Sequence, residues 1–435
     1  MLKRKLHKRP NGTVALLIIK RPPVNSVSAA LRMRLVEALE WAFTSAESKA
    51  VVITGYKGFF SAGAEIREFN TRVSRQYPHL RDVIKLIQTA PKPVVAAING
   101  WAIGGGLELA LGCHSRVALF SARLGLPEVR LGLIPGAGGM QRLIRIIGIK
   151  KTLEIVLKAD TFDALQAHHY GVIDHLIGSD AKLSDKACDY ALELANGAIQ
   201  NEQAQGPIKG ESVSSVLFEE AKKRADLLYP GCPAPIAAIN CIKSSLQLSL
   251  DESLEKERKV FNSLVEGPES AAQRYLFFSE RAIVKDFDIG RIDYIDLLGQ
   301  LESFNKKAEI NYIKQIERIW LFTISKVVYA LVADGTDLER IKRRWHNFGM
   351  RIPLDTWLKE INKNSISLKE IKPFNHKEII FSILSELVNE ARKKLKSGVL
   401  KRATDFDLIS VIICGFPIIK GGPIYYYDSM IRSGY

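Results

Sequence analysis

Residues 94–108 constrain this chain more than any other stretch. Five apolar residues, Val94-Val95-Ala96-Ala97-Ile98, lead into Asn99-Gly100-Trp101-Ala102-Ile103-Gly104-Gly105-Gly106-Leu107-Glu108. The apolar run reads as a buried strand and the glycines as the start of a helix. Glycine lets a ligand approach the backbone closely. The first N–H groups of a helix have no partner inside it, and the helix dipole there favours negative charge. An oxygen that gains charge during a reaction is stabilised at such a spot. Glu108 lies in or near the first turn, so its carboxylate can face the same ligand.

The rest of the first half also alternates strand and helix signals. Val14 to Ile19 is a short apolar run that reads as a buried strand. Ser28 can cap a helix with Leu31, Leu35 and Leu39 on one face. Val51-Val52-Ile53-Thr54 is a further strand, and the alternation implies an α/β layer architecture. From about Asp251 the pattern becomes helical. Residues 252–281 read as a connecting helix pair broken at Gly267-Pro268, and Gly290 to Asn305 as the domain boundary. The expected organisation is a first domain over 1–250, linker helices over 251–290, and an all-α domain over 300–435.

The last third holds a weak internal repeat. One stripe (Ile316, Trp320, Ile324, Val327, Leu331) leads to Thr336-Asp337-Leu338-Glu339; a second (Ile380, Leu384, Leu387, Ala391, Leu395) leads to Thr404-Asp405-Phe406-Asp407. Each threonine is expected to cap the helix that follows.

Composition excludes several classes. The balance of 47% hydrophobic and 25% charged residues is that of a soluble globular protein. No apolar stretch reaches the roughly 18 residues that span a bilayer. The basic opening, residues 1–10, has no apolar run after it, against a secretory signal, and the ending Arg432-Ser433-Gly434-Tyr435 is not a peroxisomal address. An intracellular, cytoplasmic protein is expected. Cys113, Cys188, Cys232, Cys241 and Cys414 are scattered without a C-x-x-C, so neither a disulfide framework nor a zinc site is expected. The net charge of +15 is spread along the chain without a nucleic-acid motif, and reads as solvated faces plus a local phosphate site. Adjacent residues on a helix do not share a face, so His168-His169 is no metal pair.

Two further segments carry chemistry. Phe60-Ser61-Ala62-Gly63-Ala64-Glu65-Ile66 follows a strand. Leu126-Pro127-Glu128-Val129-Arg130-Leu131-Gly132 runs on through Leu133-Ile134-Pro135 to Gly136-Ala137-Gly138-Gly139, a second glycine-rich helix start. Singly, each has a plain structural reading: a glycine run for tight packing, a glutamate as a dipole partner, a glutamate in a surface loop.

Together, in order and spacing, the three segments closely resemble the crotonase (enoyl-CoA hydratase/isomerase) superfamily over about residues 1–285. The resemblance implies a spiral of ββα units. It implies an oxyanion hole from the N–H groups of Ala64 and Gly105, and Glu108 and Glu128 as the acid–base pair. Isomerase-only relatives usually keep only the glutamate matching Glu128, so two glutamates imply hydration of trans-2-enoyl-CoA, with isomerase activity as an addition. Ser61, Ala62, Gly63, Ile66 and Gly104 would flank the CoA thioester. Arg21 is either a phosphate contact or a solvated charge.

The segments at 347–355 and 414–425 resemble, more loosely, the helical domains of 3-hydroxyacyl-CoA dehydrogenase. After residue 250 there is no G-x-G-x-x-G, so no NAD site and no dehydrogenase activity are expected. No metal and no separate cofactor are expected, CoA being part of the substrate. The expected partners are an acyl-CoA thioester and a second copy or another β-oxidation enzyme, not nucleic acid. The alternative is a non-catalytic acyl-CoA-binding or docking protein left by loss of the dehydrogenase domain.

Overall fold

The structure, a computed structural model, describes residues 1–178, 183–197, 208, 214–288, 300, 302–303, 306–333, 335–363 and 379–432. It divides into two compact units, Met1–Gly267 and Pro268–Tyr435.

The first unit is built on two sheets. The larger contains β1 (Leu2–Arg9), β2 (Gly12–Ile19), β3 (Ser48–Gly55), β5 (Val94–Ile98), β7 (Ser115–Leu119) and β10 (His175–Ile177), in the order β1-β2-β3-β5-β7-β10. The smaller contains β4 (Phe59–Ser61), β6 (Trp101–Ile103), β8 (Arg123–Gly125) and β9 (Thr161–Asp163). β3, β5 and β7 each pass directly into β4, β6 and β8 of the other sheet, and both rows advance in parallel. Helices α2 (Leu80–Gln88) and α3 (Gly105–Gly112) return the chain from one turn to the next. This is the expected ββα spiral.

The apolar run at 14–19 is explained by burial on both faces, as parallel strands require. Ala15, Leu17 and Ile19 face the main core with Val51, Ile53 and Leu35. Val14 and Leu16 face the other way, onto Ala187, Ala191 and Leu192 of α7 (Leu183–Ala195). Fully burying each such aliphatic side chain is worth about 1.5–3 kcal/mol. Ser28 caps α1 (Ala29–Thr44) by accepting the Leu31 N–H, and Leu31, Leu35 and Leu39 are buried as expected. β1, which pairs antiparallel with β2 across Pro10-Asn11, was not anticipated. Its alternation is masked by lysine and arginine, although Asn11-Gly12 is a hairpin turn signal.

The region expected as a linker resolves into α10 (Leu250–Glu266), which belongs to the first unit, and α11 (Pro268–Phe287), which belongs to the second. Most of the stretch 290–305 lies outside the described residues. The second unit is helical and centres on Trp320. That ring stacks on Trp357 at 6.1 Å and meets Trp345 and Phe416 edge-on, while its Nε1 donates to Ser410 Oγ at 2.7 Å. The two repeat stripes pack helix 307–333 against helix 379–396. The threonine caps do not form. Asp337 caps the helix Leu338–Asn347 by accepting from Glu339 and Arg340 N–H, because its carboxylate reaches two donors where Thr336 would reach one. Arg402 precedes the helix Ala403–Ile412, which takes Thr404 into its first turn.

Candidate active site

The amides of Ala64 and Gly105 come together where the smaller sheet meets α3. Val27 bridges Ala64 through its flanking groups only: Val27 N–H donates to Gly63 O at 2.7 Å, and Glu65 N–H donates to Val27 O at 3.3 Å. The Ala64 N–H is left out of this pairing. Gly105 is the first residue of α3, so its N–H has no partner within the helix. A methyl group on Gly105 would lie 3.4 Å from the Ala64 nitrogen and 3.0 Å from Leu80 Cδ2. On Gly63, at φ +89°, it would lie 2.7 Å from Ile103 O and 3.2 Å from the Gly105 nitrogen. The two amides are therefore neighbours that only glycine-lined backbone can bring together.

The glutamates converge for a topological reason. β6 and β8 are adjacent parallel strands with Ile103 opposite Gly125, and Gly104 N–H donates to Gly125 O at 2.8 Å. Three residues past Gly125, Glu128 opens a short 3-10 helix and swings back over Gly104. A methyl group on Gly104 would sit 2.8 Å from Glu128 Oε1, and its φ of +54° is a left-handed conformation. Glycine is needed there on both counts.

Glu108 is 4% exposed in the first turn of α3, and its Oε1 accepts Ala137 N–H at 2.7 Å and Gly139 N–H at 2.9 Å. Burial pushes its proton affinity up, while these donors and the Arg142 guanidinium pull it back. Glu128 is half-buried overall, but its Oε2 is sealed from solvent and has no hydrogen-bond partner among the described residues. Burial, then repulsion from Glu108, holds its pKa well above the carboxylate range. Both carboxyl groups thus hold a proton more tightly than a free one, and they differ in that Glu108 accepts two backbone N–H groups of the 137–139 turn while Glu128 is repelled by its carboxyl neighbours.

The other expected contacts are distributed unevenly. Gly63 and Gly104 are buried beside the amides; Ala62 and Ile66 are partly exposed nearby. Ser61 is fully buried, with Oγ donating to Asn25 O at 2.8 Å and accepting from Gly63 N–H at 3.1 Å, so it shapes the loop. Arg21 donates to Glu65 at 2.8 Å and to Ser26 Oγ, so its guanidinium is engaged within the fold. His168 Nδ1 lies 2.9 Å from Ile173 O, and no cluster able to hold a metal occurs among the described residues.

The enoyl-CoA hydratase/isomerase family profile matches residues 9–231. The chain belongs to the enoyl-CoA hydratase/isomerase family. Within it, the chain is similar to the human peroxisomal bifunctional enzyme, 36% identical over 274 residues, covering 63% of this chain and 38% of that one. It is 33% identical over 282 residues to a cucumber glyoxysomal fatty acid beta-oxidation multifunctional protein, covering 62% of this chain and 39% of that one. The chain thus matches about two fifths of the length of these relatives. A solved enoyl-CoA hydratase from Bacillus halodurans aligns with 62% of this chain and 98% of its own at 22% identity, with a TM-score of 0.46.

Reading the sequence missed three residues around this family site. Glu257 of α10 is fully buried and accepts Gly138 N–H at 2.7 Å. Arg142 donates to Ala137 O at 2.9 Å and to Gln88 Oε1 at 3.1 Å. Asn25 Nδ2 donates to Tyr56 O at 3.0 Å and Phe59 O at 2.6 Å. A signal existed for Glu257: it falls in step with Leu254, Phe261 and Leu264, on the apolar stripe of its helix.

Proposed function

We propose that this chain adds water to trans-2-enoyl-CoA thioesters to give 3-hydroxyacyl-CoA in fatty-acid β-oxidation, with Δ3-Δ2-enoyl-CoA isomerisation as a second use of the same pair. The observation that carries this reading is the meeting of two glutamates of unequal environment, Glu108 buried and Glu128 half-buried with one sealed oxygen, beside two neighbouring backbone amides.

The thioester carbonyl accepts hydrogen bonds from Ala64 and Gly105, which stabilise the enolate oxygen as charge moves onto it. Glu108, ionised, takes a proton from water as the hydroxyl oxygen bonds to C3. Glu128, neutral, gives its proton to C2 as the enolate collapses. Two neighbouring carboxyl groups resist double ionisation, which favours this division of labour. Isomerisation would use Glu128 to move a proton along the acyl chain. An intracellular site of action goes with this reading; the two relatives above are named for the peroxisome and the glyoxysome.

The test is loss of the conjugated thioester absorbance when the purified chain meets crotonyl-CoA. Binding of crotonyl-CoA without turnover would sink the catalytic reading and leave acyl-CoA docking. The proposal also excludes dehydrogenation. With NAD and 3-hydroxybutyryl-CoA no NADH absorbance should develop, and its appearance would reveal a nucleotide site in this chain.

A further inference from the structure

The turn Ala137–Gly139 presents three successive N–H groups to two different carboxylates. Ala137 and Gly139 donate to Glu108 at 2.7 and 2.9 Å, and Gly138, between them, donates to Glu257 at 2.7 Å. The turn is thus clamped from both sides. Gly138 has φ +97°, and a methyl group there would meet the Arg142 guanidinium at 1.8 Å and Leu254 Cδ2 at 2.5 Å. A methyl group on Gly136 would meet the Phe261 ring at 2.5 Å. Leu254, Glu257 and Phe261 are successive residues on one face of α10, so that helix seats the turn against α3.

We infer that Glu257 is a positioning residue for the proposed acid–base pair: its carboxyl group accepts the Gly138 N–H and so aims the Ala137 and Gly139 amides at Glu108. This inference rests on the hydratase reading only for its kinetic consequence. The ionisable groups facing Glu257 are Glu108, Glu128, Arg142 and Cys241. Burial, then repulsion from Glu108, raises the proton affinity of Glu257 well above the usual carboxylate range. Gln at this position has the shape of the neutral acid and keeps the accepting oxygen. Met keeps the length and loses the acceptor.

Two measurements test the inference. Glu257→Met should lower crotonyl-CoA kcat by about 10–100-fold, the cost of a small misplacement. Its KM should stay within about threefold, since ground-state binding is untouched. Glu257→Gln should restore kcat to within about threefold and leave both limbs of the pH–rate profile within about half a unit of wild type. A Met variant with wild-type kcat, or a Gln variant as slow as Met or with moved limbs, overturns it. The second measurement is hydrogen exchange of the peptide carrying Ala137–Gly139. Met should lose about tenfold or more in protection there and Gln should not. This arm stands even if the wild type does not turn over, which would sink the hydratase reading alone. Should the Met variant fail to fold, the pH profile and exchange of the Gln variant decide.

Discussion

The two units each bury a carboxyl group, and they treat it in opposite ways. Asp407, in the helical unit, accepts Ile424 N–H at 2.7 Å, Tyr425 N–H at 3.0 Å and Tyr275 Oη–H at 2.9 Å. Both oxygens are used, and the helix Pro423–Arg432 begins on them. Burial pushes its pKa up to about 7, and the three donors restrain it from going further. Glu128, in the hydratase/isomerase-family unit, has a sealed oxygen without a donor among the described residues and two carboxyl neighbours that repel its charge. A buried acid with its donors supplied is an anchor. A buried acid left wanting costs stability, and such a cost persists where chemistry uses it.

That contrast can be broken most decisively by turnover. Glu108→Gln and Glu128→Gln should each lower kcat on crotonyl-CoA by about 10²–10⁴-fold. Binding of a substrate analogue should change little, and Asp407→Ala, if folded, should cause no comparable loss. Near-wild-type kcat in either glutamine variant removes that residue from the proposed pair.

Next comes the amide pair. A β-branched side chain at position 105 would crowd Leu80 and the Ala64 amide, so Gly105→Val should lower kcat by about 10²–10³-fold in a folded protein. Circular dichroism checks the fold; an unchanged kcat would place the oxyanion elsewhere.

The third effect belongs to the anchor. Asp407→Ala strands two backbone donors and a tyrosine hydroxyl, and should cost about 2–4 kcal/mol. Urea denaturation followed by tryptophan fluorescence reads this. A loss as small as a surface substitution would show the carboxylate to be dispensable.

The smallest effect sharpens the comparison through pH. Folding raises the pKa of Glu128 above its ordinary value of 4.5. Between that value and the folded one, the native state holds a proton that the unfolded chain has released. Stability therefore falls as pH rises through this window, by at most about 1.4 kcal/mol per unit. Glu128→Gln removes the dependence, so the variant should gain on wild type as pH rises above about 4.5, read from denaturation midpoints. A gain toward low pH would mean that Glu128 is ionised in the native state.

How much of this was legible depended on whether the signal was local. The strand at 94–98, the glycine entry to α3 and the cap at Ser28 each follow from a few adjacent residues, and each formed as read. The threonine caps at 336 and 404 failed because a neighbouring aspartate or a shifted helix start competed for the same N–H groups. β1 was hidden because an edge strand need bury little, so its charges mask the alternation. Arg21 could be read either as a phosphate contact or as a solvated charge, and only the folded chain brought Glu65 to it.

What the sequence determined by itself was the set of parts: α/β spiral, glycine-led helix starts, two glutamates in the family pattern, and a helical second half. Those depend on residue type and short spacing. What the tertiary structure decided was which groups share a site. Glu108 and Glu128 are twenty positions apart and meet because β6 and β8 lie side by side. Glu257 lies 119 residues from the Gly138 N–H it accepts. No local pattern encodes such a distance. Burial, which strengthens a carboxyl group's hold on its proton, exists only once distant segments have closed around it.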